Sequence, residues 1–278
     1  MQYVATIGFF DGVHKGHQFL LEHLQEVARR EGLSTMVVTF DEHPETILRG
    51  WAKPLLSSTQ ERLTLLSQNG ADEVLVLPFE HIRSLTAEQF MVYLKGKGVA
   101  LLLMGYDHRF GVDRLVTFED YRRAAERADL RLQLITEAPD GHISSSTIRK
   151  ALAAGDITRA NDMLGRPYSL TGKVVHGNGI GRTIGFPTAN IQVPEYKLLP
   201  AEGVYVGMVD RHKSIVNVGF NPTVDGRKET VEVHIPDFSG DLYGQTLTVS
   251  LLKRLRGEQK FDSLDELQAQ IRRDITSL

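Results

Sequence analysis

Five short apolar runs, each separated from the next by chain of other character, constrain the first half of this sequence more than any other feature. They are Tyr3–Ile7, Ser34–Phe40, Glu73–Leu77, Val99–Met104 and Arg131–Ile135. Helical spacing lies between them. After the first run Leu20, Leu24 and Val27 share one face, Arg29 and Arg30 sit near the C-terminal end where the helix dipole favours cations, and Gly32 supplies a stop. Thr59 to Gln68 and Ala87 to Lys95 have the same spacing. Near-continuous apolar strands joined through helices predict a parallel sheet covered on both faces, a doubly wound α/β domain. Ligands of such sheets bind at the carboxyl ends of the strands, where the chemically rich loops of this half fall.

From about Ser169 the rhythm changes to short strands with turn signals: Leu170–His176, Gly203–Val209, Ser214–Val218, Thr230–Ile235 and Leu247–Leu252. Glycine and proline punctuate them in HGNGIG, GFNPT and DFSGDLYG. This predicts a small antiparallel barrel. A terminal amphipathic helix follows, with Ser263 as its N-cap, Glu266 as the capping-box partner, and Leu264, Leu267 and Ile271 on its apolar face. Pro167 in Gly165–Tyr168 marks the boundary, giving domains 1–165 and 166–278.

Composition narrows the class. The 278 residues allow about two domains. A formal charge of -3 argues against a dedicated nucleic-acid binder. With no cysteine in the chain, disulfides, thiol catalysis and Cys-ligated metal centres are excluded. No apolar run approaches the ~18 residues of a membrane span, and the N-terminus lacks a basic region and cleavage site. A cytoplasmic protein without membrane or nucleic-acid partners is expected.

GFFDGVHKGH, from Gly8 to His17, leaves a strand and enters a helix. A helix N-terminus offers free N–H groups and partial positive charge to phosphate, and Gly12 and Gly16 allow close backbone approach. His14 and His17 can then turn both imidazoles toward a ligand there, suited to nucleotidyl transfer by positioning and electrostatics, or they read as structural or solvated loop histidines. Zinc is a poorer reading, because no third ligand of suitable spacing stands nearby. ISSSTIR, at another helix start, supplies the hydroxyls of Ser145, Ser146 and Thr147 and the forked cation of Arg149. The same run also reads as an N-cap cluster, and both readings hold at once.

In the second half, Gly177, Gly179 and Gly181 with Arg182 read either as a flap over phosphates or as tight hairpin turns. Thr188 and Asn190, two apart on an extended segment, project to one face. They offer neutral oxygens to a magnesium ion already held by nucleotide phosphates. Glu232 and His234 share a strand face, so Glu232 is either a base for an alcohol or a solvent-facing glutamate.

GFFDGVHKGH, TFDEHP, GYDHRFG and ISSSTIR, in this order, resemble the FMN adenylyltransferase module of bacterial bifunctional riboflavin kinase/FAD synthetases. GFPTAN, NVGFNPT, VEVHIPDF, LYG and LRGEQKF together resemble the riboflavin kinase barrel. The resemblance runs from about Gly8 to Ile275. It implies that His14 and His17 stabilise the ATP phosphates as FMN attacks, with Gly8, Phe9, Asp11, Gly16 and Asp107 also on the nucleotide. Asp41, His43 and Arg109 are then on the flavin side. Asp11 also reads as a residue that fixes its loop through an Asx-type bond. In the barrel the resemblance implies Glu232 as the base for the riboflavin 5′-hydroxyl and Thr188 and Asn190 as the metal pair. Arg256, Lys260 and Phe261 would form a flap over the flavin, although they also read as a polar lead-in to the last helix. Glu42, His108 and Ile180 depart from the family pattern, standing where proline, an aromatic and a basic residue are common.

The expected activity is therefore riboflavin to FMN, then FMN to FAD, each with Mg²⁺-ATP as substrate and without a tightly bound organic cofactor beyond the flavins themselves. Two other readings stand beside it: a kinase whose first half has lost adenylylation, suggested by Glu42 and His108, and a flavin-binding module without turnover.

Overall fold

Val4 and Ala5 are neighbours on the first strand and both fully buried, yet they belong to two different cores. Side chains alternate across a strand, so a strand apolar at both positions needs cover on both sides. In the computed structural model, which describes residues 1–50, 54–105, 108–135, 143–177, 179–223, 226–236 and 238–278, two compact units form, Met1–Ser145 and Ser146–Leu278.

The first unit runs β1 (Tyr3–Ile7), α1 (Lys15–Glu31), β2 (Ser34–Phe40), α2 (Pro44–Arg49), α3 (Thr59–Gln68), β3 (Glu73–Leu77), α4 (Phe79–Ile82), α5 (Ala87–Gly96), β4 (Val99–Gly105), α6 (Phe118–Arg127) and β5 (Arg131–Ile135). Its sheet has the order β3-β2-β1-β4-β5, with every pairing parallel. One core gathers Val4, Val37, Leu101 and Leu103 with Leu20, Leu21 and Leu24 of α1 and Leu66 of α3. The other gathers Ala5, Val38 and Leu102 with Phe90, Met91 and Leu94 of α5 and Tyr121 of α6. The doubly wound expectation is met. Gly32 ends α1 in the left-handed region (φ 65°), as expected. Helix α6 was not among the expected elements, because its sequence is mostly charged. Its signal is the Thr117/Asp120 capping box.

Strand order reverses between β1 and β4, so the crevice beyond their carboxyl ends is the switch point where this architecture takes ligands. Gly8–His17 follows β1, and the GYDHRFG loop follows β4.

The second unit holds α7 (Ser145–Ala153, beginning on the last residue of the first unit), α8 (Ile157–Leu164), β6 (Tyr168–Val175), α9 (Ile180–Thr183), β7 (Ala189–Gln192), β8 (Gly203–Val209), β9 (His212–Thr223), β10 (Gly226–His234), β11 (Thr246–Arg256) and α10 (Leu264–Thr276). Six antiparallel strands close into a barrel in the order β10-β7-β6-β11-β8-β9. Asn161 of α8 stitches helix to barrel, accepting the Tyr168 N–H at 2.7 Å and donating to the Leu251 carbonyl at 2.9 Å.

Two local expectations change. Strands β9 and β10 run well past their apolar segments, because they pair continuously from His234↔Ile215 out to Gly226↔Thr223. At the last helix Ser263 caps by accepting the Glu266 N–H at 3.3 Å, but the box stays open. The Glu266 carboxylate takes the Asp262 N–H at 3.2 Å instead.

Candidate functional site

The loop after β1 is held under strain. Phe10 (φ 58°), Gly12 (φ 79°) and Val13 (φ 38°) all lie in the left-handed region, which a β-branched residue such as Val13 seldom adopts. A buried carboxylate supports the turn. Asp11 accepts the Leu56 N–H at 2.9 and 3.0 Å, the Ser57 N–H at 3.1 Å and the Ser57 hydroxyl at 3.3 Å. Ser57 Oγ in turn accepts the Gly12 N–H at 3.0 Å. Asp11 thus fixes its loop, as its second reading has it, but through residues 45 and 46 positions away rather than a local Asx bond.

That turn delivers His14 to the N-cap of α1. Its ring stacks on His17 with centroids 3.7 Å apart and planes 18° from parallel, while His17 stands edge-on to Phe10 at 5.1 Å. A Cβ at Gly16 would meet the His14 ring at 3.3 Å and the Ile143 carbonyl at 3.5 Å, so the bare backbone lets both approach. Ser145, the first residue of α7, donates from Oγ to the Asp11 carbonyl at 3.0 Å. Two motifs more than a hundred residues apart, GFFDGVHKGH and the start of ISSSTIR, therefore meet at one end of the sheet. Further along α7, Ser146 is exposed and Thr147 and Arg149 are half-buried.

The remaining front residues serve the backbone. Asp41 Oδ1 accepts the N–H groups of Glu42 (2.8 Å) and Phe79 (3.0 Å). His43 caps α2, its Nδ1 accepting the Glu45 N–H at 3.2 Å, and stands edge-on to Phe9 at 4.6 Å. Gly8 donates to the Val38 carbonyl at 3.0 Å. His108, a departure from the family pattern, accepts the Gly105 N–H at 3.2 Å. Exposed Arg109 donates to the His108 carbonyl at 2.6 Å. Asp107 lies outside the described residues. Sequence reading missed Arg62, which is fully buried on α3, donates to the Phe40 carbonyl at 2.7 Å and sets its guanidinium 4.0 Å from the Phe9 ring centre.

In the barrel unit the two faces of β10 look into different cavities. Glu232 and His234 line one of about 420 Å³, together with Gly179, Gly181, Phe186, Asn190, Asn217, Arg256 and Phe261. Val233 and Ile235 line another of about 570 Å³, with Arg182, Pro187, Phe238, Asp241 and Tyr243. Thr188 borders both, and its hydroxyl donates to Glu232 Oε2 at 3.3 Å. The ladder sets Asn190 of β7 and Asn217 of β9 opposite Glu232 on either side. Asn217 was not singled out from the sequence, although its place opposite Glu232 follows from the hairpin register.

The glycine segment is not the pair of tight hairpin turns that its sequence allows. It contains one helical turn, α9, closed onto the next motif by the Phe186 N–H donating to the Gly181 carbonyl at 2.7 Å. Asn178 and the Ile180 side chain lie outside the description. A Cβ at Gly177 would fall 2.2 Å from the Asn190 amide, and one at Gly181 2.4 Å from the Phe186 carbonyl. A side chain at Gly177 would displace the Asn190 amide, and one at Gly181 would press on the Phe186 backbone. Arg256 is engaged by Asp274 of α10 at 2.8 Å and reaches the cavity wall beside Phe261, whereas Lys260 is exposed and lines neither cavity.

Comparison with known proteins agrees on both halves. A family model described as FAD synthetase matches residues 1–148, and one described as riboflavin kinase matches residues 164–278. The bifunctional riboflavin kinase/FMN adenylyltransferase of Escherichia coli K12 is 39% identical over 98% of this chain and 90% of its own. The protein of the same description from Listeria monocytogenes is 34% identical over 98% and 90%. A solved structure described as a macrolide-efflux protein from Streptococcus pneumoniae superposes with a TM-score of 0.88 at 36% identity, covering 99% of this chain and 93% of its own. That description stands apart from the two family matches. Among the described residues no helix is long and apolar enough to cross a membrane. The chain belongs to the family of bifunctional riboflavin kinase/FMN adenylyltransferases.

Proposed function

We propose that the chain makes FMN from riboflavin in its barrel and FAD from FMN in its α/β half, with ATP consumed at both steps. The observation that carries the kinase reading is the Thr188–Glu232 contact at the divide between two cavities. Phosphoryl transfer between two bound molecules needs a shared border with a base on one side. The cavity with Glu232, Phe186, Ile215 and Phe261 suits the flat, largely apolar flavin, and the one with Arg182 suits a nucleotide.

Glu232 takes the proton of the riboflavin 5′-hydroxyl as its oxygen bonds to the γ-phosphorus. The bond to the β-bridging oxygen breaks, and ADP leaves. Among the described residues no cluster of three or more His, Asp or Glu forms a metal cage. The Thr188 hydroxyl and Asn190 amide oxygen are hard neutral donors, which fits a magnesium ion arriving on the nucleotide. Magnesium on the phosphates neutralises their charge during transfer. Arg182 serves the nucleotide from its cavity, and Gly177, Gly179 and Gly181, the last two on the wall of the other cavity, serve its phosphates at the Thr188 divide; Arg256 and Phe261 serve the flavin from the cavity wall, and Lys260 serves it from outside.

In the α/β half an FMN phosphate oxygen attacks the α-phosphorus of ATP, and pyrophosphate leaves. His14, His17, Ser145 and the N-terminus of α1 hold the negative charge, and the ISSSTIR motif assigns Ser146, Thr147 and Arg149 to the nucleotide. Gly8, Phe9, Gly16 and Asp107 border the nucleotide. Asp11 keeps the loop in shape, and Asp41, His43 and Arg109 stand on the flavin side. The functional boundary falls at 165/166, and the enzyme works in the cytoplasm, where ATP is available. Incubation with riboflavin, ATP and magnesium, followed over time by separation of riboflavin, FMN and FAD, tests both halves. FMN rising and then yielding FAD is expected. FMN without FAD would leave a kinase alone, and no conversion would leave a flavin-binding module.

A further inference from the structure

Thr188 sits just outside the regular pairing that fixes its neighbours. Strand β7 pairs with β10 only through Ala189↔Val233 and Asn190↔Glu232. The residue before Thr188 is proline, which has no N–H with which to extend a ladder. The Pro187 carbonyl is nevertheless satisfied, because His234 Nδ1 lies 2.8 Å from it. A carbonyl only accepts, so Nδ1 carries the proton. The ring is buried (9% exposed) and meets Phe186 edge-on at 5.7 Å. One side chain of β10 thus holds the Pro187 carbonyl where β7 has no ladder pair, one residue from the hydroxyl that meets Glu232.

We propose that His234 is a positioning residue for the kinase reaction, holding the Pro187–Thr188 peptide so that the Thr188 hydroxyl stays between Glu232 and the nucleotide phosphates. The inference rests on the kinase roles given above for Thr188 and Glu232. It also gives Pro187 a purpose. By breaking the ladder, proline frees Thr188 from the alternation that would otherwise confine it to one face, which lets it border both cavities.

The test uses the full chain and separates this inference from the kinase reading. Asn places an amide N–H near the position of Nδ1, whereas Gln places it near Nε2. His234→Asn is expected to stay within about threefold of the unmodified enzyme in riboflavin phosphorylation. His234→Gln is expected to lose about ten- to a hundredfold in kcat and to need more magnesium for half-maximal rate. FMN adenylylation serves as the internal measure of folding and should be unchanged in both. In a Thr188→Ala background, where the positioned hydroxyl is gone, His234→Gln should cost less than twofold more. The inference is overturned if His234→Gln works like the unmodified enzyme, if His234→Asn is as impaired as His234→Gln, or if the Thr188 and His234 losses multiply. An unmodified enzyme without kinase activity would instead overturn the underlying reading.

Discussion

Arg256 grips Asp274 with a forked contact, Nη2 at 2.8 Å from Oδ2 and Nε at 3.2 and 3.3 Å from the two carboxylate oxygens. Asp274 is buried, so the pair ties the end of β11 to the terminal helix from inside. Removing one member strands the other charge. Asp274→Ala should lower stability by about 3 kcal/mol, read as a fall in denaturation midpoint, and should raise the KM for riboflavin because Arg256 lines that cavity. Replacing both residues with methionine should recover most of the stability. A double variant as unstable as the single one would show that the ion pair is not what joins strand to helix.

Glu232→Gln keeps the shape of the side chain and its contact with Thr188 but removes the base. Riboflavin phosphorylation should fall roughly 10²- to 10⁴-fold, while FMN supplied from outside is still converted to FAD. Retention of kinase turnover would remove Glu232 from the role of base.

His14→Ala and His17→Ala should each lower FMN adenylylation by roughly 10²- to 10³-fold, the usual cost of one preorganised donor at a developing charge. Kinase activity should persist in both. Because the two rings stack at 3.7 Å, the double variant should lose less than the product of the single losses. Steady-state rates of pyrophosphate release measure all three.

Asp11→Ala removes the acceptor for the N–H groups of Leu56 and Ser57. Orphaned buried donors cost about 1–3 kcal/mol each. A clear loss of thermal stability is expected, together with loss of adenylylation as the strained turn at Val13 relaxes. Asp11→Asn retains one acceptor oxygen and should fall between the two.

Tyr121 provides a pH test in the α/β half. Its fully buried hydroxyl donates to the Phe110 carbonyl at 2.8 Å and accepts the Phe110 N–H at 2.9 Å, and burial raises its pKa above 10.0. A raised pKa means that the folded state favours the neutral phenol. The stabilisation is therefore complete below pH 10 and is lost as pH rises through the folded-state value. Tyr121→Phe should destabilise at neutral pH by about 1 kcal/mol, and the gap should shrink in strongly alkaline solution. A gap constant from pH 7 to 11 would contradict the assignment.

Legibility in the sequence followed the range of the interactions. The parallel strands were readable because both faces of each are apolar, as Val4 and Ala5 show within two residues. The pairing of Thr188 with Glu232 was half readable. Alternation put each on a face, but no local rule says that those faces meet across 44 positions. Asp11 with Leu56, Arg62 with Phe9 and Arg256 with Asp274 were not readable at all. Each is a polar group buried by chain folding back from elsewhere, and composition alone gives a buried arginine no different signature from an exposed one. Helix α6 was hidden by its charge, although Thr117 and Asp120 announced its start.

Closure of the six strands has a consequence for how copies of this chain can stick together. Where the ring is closed, paired strands leave little for another chain to zip onto, but the outer part of the β9–β10 hairpin, beyond Val218 and before Glu232, pairs only with itself. The five-stranded sheet has two rims, β3 and β5. Strand-to-strand adhesion that begins from the native fold has these rims and the outer hairpin to start from, and a lysine or proline placed there guards against it where the same change in the closed part of the ring would not.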